Sequence, residues 1–197
     1  MSVIVQTDID QDNGVVHVID RTLVPAAGNI VQIVVAAKDA DPGAEFTQLF
    51  AALDAVENDM LAADLVTVLS GDGPFTVFAP TDAAFQTLYD AVPDADQSGG
   101  ANDISDLVAA AGGLETIATV LQYHVVGARI FSTDIPNLPS NTVTPVAGGT
   151  WTLNVANLTI QAEDMALMLN LDDARITGTD ILATNGVIHT IDQVILP

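Results

Sequence analysis

The sequence contains no cysteine. This absence excludes a disulfide framework, a thiolate metal site and a cysteine nucleophile, because each of them needs the sulfur atom. It leaves the cellular compartment open, since proteins on either side of a membrane can lack cysteine.

Positively charged residues are nearly as scarce. Four lysines and arginines stand against 26 aspartates and glutamates, which gives a formal net charge of −22 at pH 7. Such a surface repels the phosphates of nucleic acids and anionic lipids, so we expect neither as a partner. It suits a medium rich in salt or calcium, where counter-ions screen the repulsion between carboxylates.

Long apolar runs and catalytic motifs are also missing. No apolar segment approaches the ~20 residues that a membrane-spanning helix needs, so we predict no membrane insertion for this chain. There is no Gly-x-Ser-x-Gly elbow, no His-Glu-x-x-His and no phosphate-binding loop, and only three histidines are present. The sequence therefore favours a protein that is not an enzyme and that uses no cofactor.

The chain does contain an internal repeat. Its last stretch, residues 185–197, reads Asn-Gly-Val-Ile-His-Thr-Ile-Asp-Gln-Val-Ile-Leu-Pro and matches residues 13–25 at a constant offset of 172 residues. In both copies Asn-Gly favours a tight turn with positive φ, and the alternation that follows is typical of a strand. Self-similarity at a fixed offset indicates repeated domains. We therefore predict that residues 1–25 are the C-terminal remnant of a preceding repeat and that residues 26–197 form one complete domain.

Hydrophobic spacing predicts helices in the first part of that domain and strands in the last part. Asn29 can cap the first helix, and Thr81 or Asp82 can cap one that follows a short strand at residues 75–79. From Thr142 onward the pattern alternates with period two. Further helices are predicted at 46–56, 61–69, 104–108 and 114–121, and further strands at 125–126, 151–155, 158–160, 168–171, 174–177 and 180–181. This order predicts an α+β fold with separate layers.

Three segments resemble the signatures of the fasciclin-like domain family. Residues 71–85, Gly-Asp-Gly-Pro-Phe-Thr-Val-Phe-Ala-Pro-Thr-Asp-Ala-Ala-Phe, resemble the first signature, Tyr123-His124 the central pair, and residues 185–192 the second signature. The resemblance implies a wedge of strands in two sheets with several short helices packed on one side. The residues that it implies as structural signatures are Phe78, Pro80, Thr81, Phe85, Asn185, Gly186, His189 and Asp192.

The resemblance also implies a function. Family members are extracellular or attached to the cell surface and act in adhesion, commonly as tandem repeats, so the expected partner is a matrix or cell-surface protein or a polysaccharide. In vertebrate members the Tyr-His region takes part in integrin binding, which makes Tyr123 and His124 candidate interaction residues. Asp180 and Ile181 resemble the core of a second integrin-related motif. For all four residues a structural role inside the wedge is at least as good an explanation.

Two other functions stay open at the level of sequence. One is a domain that binds calcium or a small ligand through acidic loops such as residues 94–102. The other is a hydrolase whose Ser, His and Asp assemble only in space. His17 and His189 are expected on the inward face of their strands, bonded to backbone or to a carboxylate. Residues 3–24 are expected to pack on the following domain or to make a homotypic contact, because an orphan strand pair offers a free edge.

Overall fold

The computed structural model describes residues 4–20, 25–40, 43–57, 65–92, 103–161 and 173–197. Within these ranges the chain forms nine strands and six helices, together with two short 3₁₀ turns at Ile135–Asn137 and Pro139–Asn141. The strands are β1 (Ile4–Gln11), β2 (Gly14–Ile19), β3 (Phe75–Pro80), β4 (Val125–Val126), β5 (Thr142–Val143), β6 (Trp151–Asn154), β7 (Thr159–Gln161), β8 (Ala174–Ala183) and β9 (Gly186–Ile191). The helices are α1 (Ile30–Lys38), α2 (Thr47–Glu57), α3 (Leu65–Ser70), α4 (Asp82–Ala91), α5 (Ile104–Ala111) and α6 (Leu114–Tyr123).

The α+β prediction is confirmed, with helices early and strands late. Three predicted features lie outside the described residues: the strand at 168–171, the acidic loop at 94–102 and the first residues of the helix predicted at 61–69. Among the described residues no single helix is long and apolar enough to cross a bilayer. Only α5 and α6 taken together, across a bend of 101°, meet that standard by length and composition.

The predicted helix caps are in place. The Asn29 side chain accepts a hydrogen bond from the backbone N–H of Gln32 (2.9 Å), and the Gln32 side chain accepts one from the N–H of Asn29 (3.0 Å). This reciprocal pair satisfies two donors that a helix start leaves open. Thr81, and not Asp82, caps α4, because its hydroxyl accepts from the N–H of Ala84 (3.2 Å).

Seven strands form one sheet in the order β4-β3-β9-β8-β7-β6-β5. The central pair, β3 and β9, is parallel, and the other neighbours are antiparallel. β8 links the strands β4-β3-β9 to the strands β7-β6-β5, which form the two halves of the wedge. Its first residues pair with β7 and its later ones with β9. The strands predicted separately at 174–177 and 180–181 are one strand with two register shifts. The second shift, between Gly178 and Ile181, contains Asp180, whose φ is +60°, and such irregularities bend a strand and re-aim its side chains.

The domain has two apolar cores, one on each face of the central strands. The first lies between the helices and the sheet and includes Ile30, Leu88 and Ile188. The second fills the wedge and includes Phe78, Trp151 and Ile191. The Phe78 and Trp151 rings meet edge to face at 4.9 Å. Because β9 supplies residues to both cores, it is buried on both faces rather than on the single inward face that its alternation predicted.

Candidate functional site

His189 of the second signature is fully buried at the centre of the sheet. The backbone N–H of Asp180 donates to its Nδ1 (3.3 Å), so the proton lies on Nε2, which donates to the carbonyl oxygen of Ile130 (2.9 Å). Burial lowers the pKa of His189, against the smaller opposing effects of the Ile130 hydrogen bond and the Asp180 charge. The imidazole is therefore a neutral cross-link between β8 and the segment that follows β4.

Asp180 extends the same cross-link on its other side. Its carboxylate accepts hydrogen bonds from both the N–H (2.8 Å) and the hydroxyl of Ser132, 48 residues away. The positive φ of Asp180 lets the side chain turn toward Ser132 while its N–H faces His189. Ile181, the other half of the predicted pair, is partly buried and packs on the helical core.

Tyr123 and His124 lie inside the molecule, with exposed fractions of 4% and 2%. The Nδ1–H of His124 donates to the carbonyl of Val120 (2.7 Å), and Nε2 accepts from the N–H of Ile195 (2.9 Å). Burial lowers the pKa of His124 to about 4 despite the opposing hydrogen bond to Val120. The carbonyl of Tyr123 accepts the indole N–H of Trp151 (3.4 Å). As folded, His124 joins the C-terminal segment to α6, and the Tyr123 carbonyl bonds to Trp151. Because both side chains are buried, a partner that approaches this region meets the surface residues around them.

Ser132, Asp180 and His189 are close in space, as the hydrolase hypothesis requires, but their hydrogen bonds do not form a catalytic triad. In a triad the histidine accepts the serine proton and the carboxylate orients the histidine. Here the Ser132 hydroxyl bonds to the Asp180 carboxylate, and both ring nitrogens of His189 bond to backbone groups. The arrangement connects strands, and the imidazole does not accept the serine proton as it would in a triad.

The remaining signature residues also bond to the backbone or fill the cores. The Asn185 side chain accepts from the N–H of Ile30 (3.0 Å) and donates to the carbonyls of Leu69 (2.7 Å) and Gly71 (2.9 Å). It thus joins the turn before β9 to the start of α1 and the end of α3. The Thr81 N–H donates to Ile191 (3.1 Å). Residues Phe78, Pro80 and Phe85 are buried, and the Asp192 carboxylate accepts from the N–H of Arg175 (2.7 Å).

The turn chemistry differs from the prediction. In both hairpins the two turn residues end with the asparagine, and the glycine is the first residue of the following strand. Neither glycine is among the positive-φ residues. A Cβ on Gly186 would lie 2.3 Å from the carbonyl oxygen of Phe75, so the glycine is required by the close approach of β3 and not by its own backbone conformation.

The first hairpin, β1 and β2, repeats the geometry of the last one, β8 and β9. It pairs Ile4 with Ile19 and Gln11 with Gly14, and adding 172 gives the pairs Ile176 with Ile191 and Ala183 with Gly186. The three intermediate pairs and both register shifts also correspond at that offset. Asp8 and Asp180 have φ values of +56° and +60°, and each donates its N–H to the Nδ1 of the equivalent histidine.

The surroundings of the two hairpins differ. The prediction that His17 lies on an inward face is wrong for this chain, because its side chain is 45% exposed where that of His189 is buried. Val15 and Val16 are 52% and 49% exposed, whereas their equivalents Val187 and Ile188 are fully buried. In the described part of the chain the first hairpin forms a two-stranded sheet of its own, and no strand pairs with the outer edge of β2.

Metal binding finds no support among the described residues, which contain no group of three or more His, Asp or Glu side chains able to hold an ion. The acidic loop that motivated the calcium hypothesis lies outside these ranges.

Comparison with known proteins agrees with this geometry. The fasciclin domain model matches residues 44–197. Protein sll1483 of Synechocystis is 37% identical over 136 residues, which cover 69% of this chain and 62% of that protein. The transforming growth factor-beta-induced protein ig-h3 of Sus scrofa is 28% identical over 195 residues, or 98% of this chain and 23% of that protein. The chain therefore belongs to the fasciclin domain family, as its signatures predicted, and it spans only part of these relatives.

A solved structure shows the same fold. The FAS1 domain pair from the insect cell adhesion molecule fasciclin I superposes with a TM-score of 0.58 at 17% identity, over 100% of this chain and 60% of that pair. Sequence reasoning missed Ser132 and Ile130, the partners of Asp180 and His189, because neither residue lies in a signature. Both residues lie in the segment after β4, and their contacts join positions 48 and 59 residues apart. Hydrophobic periodicity within a segment carries no information about such contacts.

Proposed function

We propose that this chain is a non-catalytic adhesion module of an extracellular or surface-attached protein built from tandem fasciclin domains. Family membership and the adhesion molecule that provides the structural neighbour support this proposal. The observation that carries it concerns the polar side chains of the signatures. Those of His124, His189 and Asn185 form hydrogen bonds with backbone groups inside the domain. The module would therefore act through its outer surface and not through a reactive centre.

Within that module, residues 1–25 would be the closing segment of a preceding repeat, and residues 26–197 the complete domain. The matching register of the two hairpins supports this boundary. The family model, which matches residues 44–197, leaves residues 1–25 outside the matched domain.

The surface charge favours particular partners. With a net charge of −22, contacts with matrix or cell-surface proteins or with polysaccharides are expected to involve basic or neutral groups. Single contacts of this kind are weak, and linked copies gain avidity when the linker lets two sites engage at once.

The test is adhesion as a function of copy number. Beads that carry the chain once, or as a covalent array of three, are added to surfaces coated with matrix proteins or polysaccharides, with beads carrying an unrelated protein of equal charge as control. Retention should rise steeply with copy number and exceed the control at physiological salt. Equal retention of array and control on every surface would reject the adhesion function. The domain boundary is tested separately: deletion of residues 1–25 should leave the melting transition of residues 26–197 unchanged.

A further inference from the structure

The second strand of the first hairpin has the composition of an interior strand. β2 reads Gly-Val-Val-His-Val-Ile, with apolar residues on both faces. Such a near-continuous apolar run is typical of a strand covered on both sides, whereas a strand with one wet face alternates. In this chain Val15, Val16 and Val18 are all at least 40% exposed. β2 therefore presents apolar residues on both faces, and its outer edge is unpaired in the described part of the chain.

The closing hairpin shows what covers this arrangement when it is complete. β3 lies parallel to β9, from Phe75 opposite Gly186 to Pro80 opposite Ile191. The Phe78 ring lies 5.3 Å from the His189 ring. The carbonyl of Ile130 accepts a hydrogen bond from the Nε2–H of His189, and helices cover the opposite face of β9.

We infer that the hairpin of residues 4–19 is a docking element whose occupant is the body of another fasciclin-type domain, joined through a β3-like strand parallel to β2. The inference rests on the tandem arrangement proposed above and adds the chemistry that the partner must supply. That chemistry is an aromatic ring beside His17, a backbone carbonyl for its Nε2, and N–H and O–H donors for the Asp8 carboxylate. A lipid surface is a poor alternative occupant, because Asp8, Asp10 and Asp12 lie on the same hairpin.

The two hairpins are compatible at the level of single residues. Nine of their 16 aligned positions are identical, including the histidine, the Asn-Gly pair and the aspartate with positive φ. Two differences carry a cost: buried Ala183 corresponds to Gln11, and fully buried Ile188 corresponds to the smaller Val16. Gly178, whose added Cβ would meet the Thr190 hydroxyl at 2.6 Å, corresponds to Gln6, and Thr190 corresponds to Val18, so both partners of that contact change together.

The test is a transplant within the full chain. Residues 176–191 are replaced by a second copy of residues 4–19, which leaves the original hairpin in place. The control transplant uses residues 5–20, because a shift of one residue moves every side chain to the opposite face. A third chain repeats the first transplant but keeps Ala183 and Ile188, which removes the expected overpacking at the first position and the expected cavity at the second.

Thermal unfolding and carbethoxylation of histidine by diethyl pyrocarbonate, followed by mass spectrometry, give the readout. Trypsin separates the copies, because Arg21 ends one peptide and Arg175 precedes the other. The in-register transplant should unfold cooperatively, and its transplanted histidine should react about tenfold or more slowly than His17 in the same molecule, since reaction requires opening of the sheet. The shifted transplant should lose both properties.

Three results would overturn the inference. In the first, the transplant that keeps Ala183 and Ile188 has no cooperative unfolding transition. In the second, its transplanted histidine reacts as fast as His17. In the third, the unmodified chain dimerises at rising concentration with His17 protected, which would assign the hairpin to a second copy and not to a separate domain body. None of these results bears on adhesion, so failure here is distinguishable from failure of the proposed function.

Discussion

The two Asn-Gly hairpins have one backbone geometry and two environments. Each donates an aspartate N–H to a histidine Nδ1, with the same register shifts and the same positive φ. The histidine is buried in the closing hairpin and 45% exposed in the first. The comparison separates what a local sequence determines by itself from what its neighbours add. Equivalent substitutions in the two hairpins then act as matched pairs. The difference between their effects on the free energy of unfolding measures what the surrounding domain contributes.

The largest difference is expected for the glycines. Gly186→Ala places a methyl group 2.3 Å from the carbonyl oxygen of Phe75 and 2.9 Å from Ile30, so β3 and β9 cannot keep their spacing. We expect a loss of about 4 kcal/mol or more in the free energy of unfolding, or no folded protein at all. Gly14→Ala meets no described atom within 4 Å, and we expect a change within about 1 kcal/mol. Urea unfolding measures both, and equal losses would contradict the close-approach explanation.

The asparagines should differ almost as much. Asn185→Ala removes three hydrogen bonds and leaves the N–H of Ile30 and the carbonyls of Leu69 and Gly71 without this partner. Unpaired buried polar groups are costly, so we expect a loss of about 3–4 kcal/mol at unchanged m-value. Asn13→Ala changes an exposed side chain and should cost at most about 0.5 kcal/mol. A change of m-value in Asn185→Ala would indicate instead that part of the domain was already unfolded.

Much of the fold follows from the sequence because its causes are local. The caps at Asn29 and Thr81, the helix spacing and the strand alternation all lie within a few residues of the structure that they determine. Residue types also identified the signatures. The parallel pairing of β3 with β9 and the double burial of β9 did not follow, since they depend on segments more than 100 residues apart. His17 shows the same limit, because its sequence matches that of His189 and only the surroundings differ.

Acid should weaken the domain through its two buried histidines, His124 and His189. His124 is neutral when folded, with a pKa lowered to about 4 by burial, and in the unfolded chain it takes up a proton near its ordinary value of ~6.5. The unfolded state therefore binds more protons between these values, and stability is full above the higher value and lost as pH falls toward the lower one. The loss approaches about 3 kcal/mol by pH 4. The lowered pKa of His189 adds to it in the same direction.

Because the many carboxylates titrate as well, the pH effect is measured as a difference between variants. His124→Gln has no proton to gain, so it should be less stable at pH 7 but lose less between pH 7 and 4.5 than the unmodified chain. Parallel pH curves for the two proteins, from melting temperatures at fixed ionic strength, would rule out a role for His124 in acid sensitivity.

The smallest difference concerns the aspartates and shows whether the Ser132 link contributes to stability. Asp180 accepts both the N–H and the hydroxyl of Ser132, whereas the Asp8 side chain is 77% exposed. Asp180→Asn should cost about 1–2 kcal/mol and Asp8→Asn almost nothing, because only the first removes a charge-assisted acceptor. Ser132→Ala should cost about 1 kcal/mol, and the double variant Ser132→Ala with Asp180→Asn should cost less than the sum, since both changes break one link. Strict additivity would mean that the contact between Ser132 and Asp180 brings no stability.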